Sequence, residues 1–251
     1  MTRSALRLSL IAAPLAFALA SCGSSDETTG PGALEGDPVA AVPAPEGQEW
    51  SDTVTATEEG GYLVGNPDAP IKLVEYGALS CSHCAEFAEA SNESLMADYV
   101  DSGRVSFELR LFLLNSFDLP AALLVTCSSE EAVVPLADQF WASQGDFFAK
   151  GQSAGDAAFE AIGSAPPEQR FVELAELYGM TDFITARGVA RDQANACLAD
   201  TGKVEALVAA NEEAAATYDI TGTPTFFING EKIGSVGWPE LEIALQKAGA
   251  R

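Results

Sequence analysis

Two cysteines, Cys81 and Cys84, stand two residues apart with the chain's only histidine, His83, between them. The run from Ile71 to Tyr76 is short, apolar and partly β-branched, which predicts a strand before the pair. After the pair, apolar positions recur with helical spacing at Cys84, Phe87, Ala88, Ser91, Leu95 and Tyr99. Cys81 is therefore predicted at a strand-to-helix junction, and the remaining chain has to build its core around that junction.

This position gives the two thiols different chemistry. A thiol at a helix N-terminus meets unpaired N–H groups and the positive end of the helix dipole, which stabilise its thiolate. Cys84, one turn further on, is placed to attack a mixed disulfide on Cys81 and release the partner. His83 either stabilises the neighbouring thiolate when charged or is an exposed polar residue, and we favour the first. The five cysteines fit no zinc template, so no metal site is predicted.

The rest of the folded region reads as one α/β unit with a long helical segment. Alternating residues from Val105 to Leu113 predict a second strand with one dominant buried face, parallel to the first because a helix connects them. A last strand, Thr225 to Ile228, leads through Asn229-Gly230, a dipeptide typical of type I′ hairpins, into a return strand at 232–236 and a helix from Pro239. Between the strands we predict helices at 120–127, 132–144, 167–178, 186–198 and 203–219.

Three features together resemble the DsbA-like branch of the thioredoxin superfamily: Glu75, the motif CSHC at 81–84 and the stretch GTPTFFING at 222–230. The resemblance spans about residues 62–249 and implies a thioredoxin-like α/β fold with a helical insertion subdomain at about 118–202. It also implies that Thr223-Pro224 is a cis peptide that faces the cysteines and binds substrate. Ser82 replaces the proline of the family's best-known dipeptide, which leaves the oxidising strength open.

The resemblance assigns Glu75 to the family's buried acid, which relays a proton to or from the resolving thiol. The alternative is a solvated glutamate at a strand end, but its apolar neighbours favour an interior strand. Phe226 and Trp238 are expected to line part of an apolar substrate groove near Pro224.

Two cysteines, Cys127 and Cys197, remain once Cys81 and Cys84 are assigned to the active pair and Cys22 to a predicted lipidation site near the N-terminus. Both fall in predicted helices of the insertion, and we predict that they form a structural disulfide. The alternative is two buried free thiols.

The N-terminus reads as an export signal. Arg3 and Arg7 precede an apolar run that is too short to span a bilayer, and the run ends in Leu19-Ala20-Ser21-Cys22, which resembles a bacterial lipobox. We predict a lipoprotein signal peptide at 1–21, lipidation of Cys22, a disordered tether over 22–61 and the folded domain over 62–251. The alternative is an ordinary secretory signal with a chance cysteine. Either leads to a compartment that permits disulfides.

The formal net charge of −24 argues against nucleic acid as a partner. The sequence thus predicts a periplasm-facing lipoprotein of the bacterial envelope, with a lean to the outer membrane. It would be a thiol-disulfide oxidoreductase without cofactor that exchanges the Cys81–Cys84 disulfide with exported cysteine-containing proteins, as an oxidase. Its other expected partner is a membrane redox protein. Two alternatives stay open: a reductase or isomerase of the same fold kept reduced by that partner, and a non-catalytic thioredoxin-like binding module.

Overall fold

The computed structural model describes residues 36–251. The predicted signal peptide and Cys22 lie outside the described residues. Six strands form one sheet in the order β1-β2-β4-β3-β5-β6. Their bounds are Val54–Ala56 (β1), Tyr62–Val64 (β2), Ile71–Gly77 (β3), Val105–Leu111 (β4), Thr225–Ile228 (β5) and Glu231–Gly234 (β6).

The predicted strand-helix-strand unit forms the centre of the sheet. β3 and β4 pair in parallel, from Ile71 opposite Val105 to Gly77 opposite Leu111, while the other strand pairs are antiparallel. A parallel pair needs a crossover, and here it is helix α1, Ser82–Ser94, continued by a π-helical turn at Leu95–Val100. This helix buries one face, including Phe87, Ser91 and Tyr99.

β4 is buried on both faces, so the predicted single buried face is wrong. Ser106 and Glu108, expected on an open face, are buried along with their apolar neighbours. β4 lies between β2 and β3, and the segment before β2 covers its second face. There the Thr57 hydroxyl donates to Glu108 Oε1 at 2.7 Å, and Arg110 Nε donates to the same oxygen at 2.8 Å. These partners allow a charged residue to lie inside the sheet.

The ordered domain begins well before residue 62, which corrects the predicted tether boundary. Residues 36–61 run along the domain: the N–H of Gly36 donates to Lys247 O, and that of Val42 donates to Ser102 O. β1 adds an edge strand to the sheet. Because these contacts use mainly backbone groups and a few apolar side chains such as Trp50, a composition poor in large apolar residues did not reveal them.

The helical insertion contains more helices than predicted, and the predicted helix at 167–178 has the predicted bounds. Its members are Asp118–Val125 (α2), Glu130–Ala142 (α3), Gln144–Ala154 (α4), Asp156–Gly163 (α5), Pro167–Tyr178 (α6), Met180–Thr185 (α7) and Arg191–Leu198 (α8). The predicted helix at 186–198 starts only at Arg191, because the chain turns at Gly188 with φ +98°. Within residues 36–251, no helix is long and apolar enough to cross a membrane.

Helix α9, Thr201–Tyr218, returns the chain to the sheet, and none of its residues is buried. Asn229 and Gly230 then both adopt positive φ, 51° and 82°, as the predicted type I′ hairpin requires. The return strand ends at Gly234, two residues earlier than predicted. The last helix, α10, spans Trp238–Lys247 and buries Leu241 and Leu245.

A disulfide joins Cys127, just after α2, to Cys197 in α8, with 6.0 Å between the Cα atoms. It closes a loop across a sequence separation of 70 residues, which contains most of the insertion. In the chain-entropy model, a loop of this size is worth about 4 kcal/mol of stability.

We expect the double variant Cys127→Ser/Cys197→Ser to lose about 4 kcal/mol of unfolding free energy, because its unfolded state is less constrained. Urea unfolding followed by circular dichroism measures the loss. The wild type, measured under the same redox conditions, is the reference. A double variant as stable as the wild type would contradict the prediction.

Candidate active site

Cys81 is the N-cap residue of α1, directly after the loop that leaves β3. Its Sγ accepts a hydrogen bond from the backbone N–H of Cys84 at 3.2 Å. Both thiols are free, and Cys84 has no exposed surface, whereas Cys81 keeps 8% of its surface exposed. Of the two sulfurs, Cys81 is therefore the one that a partner reaches.

The two thiols have pKa values displaced in opposite directions. The pKa of Cys81 is lowered to about 6, first because the Cys84 thiol donates a hydrogen bond to its sulfur, and further by N–H groups of the first helical turn, while burial opposes the shift. The pKa of Cys84 is raised, mainly by burial and also by its hydrogen bond to Cys81 and the nearby charge of Glu75. A thiolate on Cys81 and a neutral thiol on Cys84 is thus the preferred reduced state at neutral pH.

The loop before β5 faces the cysteines. The Thr223-Pro224 peptide is cis, and the Cys81 thiol lies 3.2 Å from the Thr223 carbonyl oxygen, to which it donates. Pro224 is buried and Thr223 is half-buried. Thr223 therefore lies beside Sγ of Cys81, and the cis peptide joins it to Pro224, although more than 140 residues separate both from Cys81 in the chain.

Glu75 lies inside the sheet beneath the cysteines. It is 1% exposed, and its Oε1 has no hydrogen-bond partner. Its pKa is raised well above the ordinary value by burial first, and then by the charges of Asp138 and Cys81. Gly77 leaves room for the carboxylate, since a Cβ there would stand 3.0 Å from Oε1. Beside Cys84, the protonated form of Glu75 is able to give the thiolate a proton, and its carboxylate form is able to take one from the thiol.

The His83 ring contacts Glu86 on the exposed side of α1. The ring is exposed, and Nδ1 lies 3.1 Å from Glu86 Oε2, a contact that raises the pKa of the imidazole. The thiolate of Cys81 adds a smaller upward shift, so the two charges do interact. The backbone N–H of His83, rather than its ring, is among the groups that stabilise the Cys81 thiolate.

The helical insertion holds the three residues before Cys81. Trp141 Nε1 donates to Ala78 O and Gln144 Nε2 donates to Leu79 O, both at 2.9 Å. Asp118 accepts the Ser80 backbone N–H at 2.7 Å and the Ser80 hydroxyl at 2.9 Å.

No motif in the sequence marks these three insertion residues as part of the site. Asp118 offered one signal, because it is the only charged residue in the otherwise apolar helix α2. Trp141 and Gln144 offered none, since they are ordinary members of helices until the insertion is folded against the loop.

Phe226 and Trp238 do not line a groove, which corrects the expected role of both. Phe226 has no exposed surface and packs against Phe87, with ring centroids 4.5 Å apart. Trp238 is 8% exposed and packs edge-on against Tyr99. Because α10 folds back onto α1, both aromatic side chains belong to the core under the active-site helix.

Comparison with known proteins agrees with this geometry. A sequence profile of the family described as Thioredoxin matches residues 57–247. The chain belongs to the thioredoxin family. Among solved structures, this thioredoxin-family fold is similar to a protein-disulfide isomerase from Novosphingobium aromaticivorans, with a TM-score of 0.70, 27% identity and coverage of 75% of this chain and 97% of the other. It shares its fold with alpha-DsbA1 of Wolbachia pipientis, at a TM-score of 0.60, 23% identity and coverage of 74% and 89%.

The match to curated relatives is partial in length. A Rickettsia bellii protein named as a protein-disulfide oxidoreductase is 25% identical over 191 residues, which are 76% of this thioredoxin-family chain and 65% of the relative. A Rickettsia conorii protein with a similar name is 24% identical and is covered over 61% of its length. The chain therefore spans less than two thirds of the length of these relatives.

The displaced pKa of Cys81 predicts the titration of the reduced protein. Thiolate absorbance at 240 nm should rise with a midpoint near pH 6, and Cys81→Ser should lose that step. Because the folded pKa lies below the ordinary thiol value, Cys81 stabilises the reduced fold most above pH 9, and the gain disappears as the pH falls towards 6.

Comparing reduced wild type with reduced Cys81→Ser isolates this contribution, since Glu75 is present in both proteins. Their difference in unfolding free energy should grow from pH 6 to pH 9. A single thiolate step near pH 9 in the wild type, with a pH-independent stability difference, would contradict the prediction.

Proposed function

We propose that this protein is a thiol-disulfide oxidoreductase that acts on cysteine-containing protein substrates. The observation that carries the proposal is the pairing, at one helix N-terminus, of Cys81, which is 8% exposed and has a lowered pKa, with a fully buried Cys84 of raised pKa. Such a pair separates the roles of attacked sulfur and resolving sulfur. The isomerase and oxidoreductase names of its relatives support the same chemistry.

A substrate thiolate attacks Sγ of Cys81 in the oxidised protein, and the new sulfur–sulfur bond forms as the Cys81–Cys84 bond breaks. Cys84 leaves with the bonding electron pair and takes a proton, for which the neutral acid of Glu75 is the nearby donor. A second substrate thiolate then attacks the substrate sulfur of the mixed disulfide, and Cys81 leaves as its stabilised thiolate. The substrate is oxidised by two electrons and the protein is reduced.

We propose the oxidase direction on the same grounds. A stabilised Cys81 thiolate favours the reduced protein and so makes its disulfide a better oxidant. Active-site pKa values are about 7 in thioredoxin and about 3.5 in DsbA, so a value of about 6 indicates an oxidant between the two. One observation supports the alternative direction, a reductase or isomerase kept reduced by a membrane partner: the similar Novosphingobium protein is named as a protein-disulfide isomerase.

We further propose that Cys22 carries a lipid anchor and that the enzyme works in the bacterial envelope on exported proteins, reoxidised by a membrane redox partner. The Leu19-Ala20-Ser21-Cys22 motif supports the anchor. The disulfide between Cys127 and Cys197 supports an oxidising compartment.

The activity test compares the wild type with two active-site variants. The oxidised wild type should oxidise a reduced dithiol peptide, while Cys81→Ser is inactive because the attacked sulfur is missing. Cys84→Ser, prepared as a mixed disulfide, should keep its partner bound because no resolving thiol is present. Cys127→Ser/Cys197→Ser should remain active.

The reduction potential decides the direction of electron flow. A value near −120 mV matches a strong oxidant, and one near −270 mV matches a thioredoxin-like reductant. If Cys81→Ser were as active as the wild type, the proposed oxidoreductase function would be refuted. If partner binding survived the loss of both thiols, the non-catalytic binding module would replace it.

Cys22→Ala tests the anchor. Expressed in a bacterium with a lipoprotein export pathway, the wild type should sediment with membranes and the variant should be released into the soluble envelope fraction, because no thiol is left to acylate. Equal distribution of the two proteins would exclude lipidation, and Cys81→Ser serves as a control for loss of an unrelated cysteine.

A further inference from the structure

The proton of the resolving thiol has no direct way out. Cys84 has no exposed surface, and Glu75, the acid beside it, is 1% exposed. Each cycle of exchange nevertheless adds a proton to Cys84 or removes one. A group that connects Glu75 to solvent is therefore required by the proposed function.

A small cavity is lined by Glu75, whose Oε1 has no hydrogen-bond partner. Its volume is about 10 Å³, roughly the space that one water needs. Its polar lining consists of Glu75, Ser91, Asn92 and Asp138, and the indole of Trp141 also borders it. Asp138 is thus the second carboxylate of this cavity, and its charge is the largest electrostatic influence on Glu75.

Asp138 also borders the outside of the molecule. Helices α1 and α3 enclose an open groove of about 940 Å³, and Asp138, Asn92 and Trp141 line it as well as the inner cavity. The Asp138 carboxylate is half-buried and accepts a hydrogen bond from Asn92 Nδ2 at 3.0 Å. It stands where the buried cavity meets the surface groove.

We propose that Asp138 is a positioning residue that passes the proton between Glu75 and the groove. When Cys84 attacks Cys81 in a mixed disulfide, the neutral Glu75 gives its own proton to the Asp138 carboxylate as it takes the proton of Cys84, and Asp138 then releases a proton to water in the groove. The substrate sulfur leaves with the electron pair. In the opposite step the proton follows the same path inwards. This inference rests on the proposed exchange reaction and adds a residue from the helical insertion to it.

The electrostatic surroundings suit the task. Burial raises the pKa of Asp138 to about 6, against the opposing hydrogen bond from Asn92, so it exchanges protons near neutral pH. From α1 the groove presents Glu86, Glu89 and Glu93, and from the N-terminal segment it presents Ser51. Of the described residues that line the groove, none is basic, so no ion pair holds Asp138 in its charged form.

The test follows a single turnover of the full reduced chain with oxidised glutathione. Samples are quenched in acid, and mass spectrometry measures the formation and the decay of the mixed disulfide on Cys81. Formation depends on the Cys81 thiolate, and decay depends on deprotonation of Cys84. Asp138→Asn should leave formation unchanged and slow decay about tenfold at pH 7, a modest effect for a proton-transfer step.

The pH profile separates proton transfer from a structural effect. Decay in the wild type should accelerate as the pH rises through about 6, since Asp138 must be ionised to accept the proton. The decay rate of Asp138→Asn should lack this acceleration with pH, and Asp138→Glu should restore it. Glu89→Gln is the matched control, because Glu89 lines the groove and not the inner cavity, and it should behave like the wild type.

Each result decides the proposal. If the mixed disulfide of Asp138→Asn decays at the wild-type rate, with the same pH dependence, the relay is overturned and the proposed function still stands. If the wild type forms no mixed disulfide, both are overturned. If Asp138→Asn does not fold, Asn92→Ala takes its place. Because the Asn92 hydrogen bond lowers the pKa of Asp138, its loss should move the acceleration of decay to higher pH. An acceleration at the same pH as in the wild type overturns the relay.

Discussion

The structure depends on one electrostatic arrangement, a thiolate at a helix N-terminus above a fully buried carboxylic acid. The N–H groups of α1 and the Cys84 thiol lower the pKa of Cys81, while burial raises the pKa of Cys84 and Glu75. The thiolate of Cys81 and the buried pair of Cys84 and Glu75 depend on each other. A low-pKa thiol without a buried neighbour lacks a protected resolving thiol, and a buried acid without that thiol is only a cost to stability.

The sheet makes this arrangement possible. β3 lies between the parallel strand β4 and the antiparallel strand β5, so Glu75 has Leu109 on one side and Phe226 on the other. The same strand delivers Cys81 to the helix N-terminus, and β5 begins at the cis-proline loop that faces it. Pairing of three strands that are distant in sequence therefore brings the acid, the thiols and the Thr223 carbonyl together.

The helical insertion covers the site and also contributes side chains to it. Three of its side chains, from Asp118, Trp141 and Gln144, bind the residues directly before Cys81. The disulfide between Cys127 and Cys197 ties the two ends of the insertion together. Asp138 lies on the same helix as Trp141, and its charge raises the pKa of Glu75 more than any other charge does. The insertion thus holds the loop before Cys81 and supplies a second carboxylate that acts on Glu75.

The sequence by itself determined the local features of this protein. The spacing of Cys81 and Cys84, the helical repeat after them and the Asn229-Gly230 turn each depend on neighbours within a few residues, so they predicted the junction, α1 and the hairpin. Glu75 and Thr223-Pro224 came from family resemblance. Only the tertiary structure decided what depends on distant contacts: the burial of β4 on both faces, the docking of residues 36–61, the removal of Phe226 and Trp238 into the core, and the place of Asp138. Burial and pKa are properties of packed surroundings, and those surroundings come from segments that are far apart in the chain.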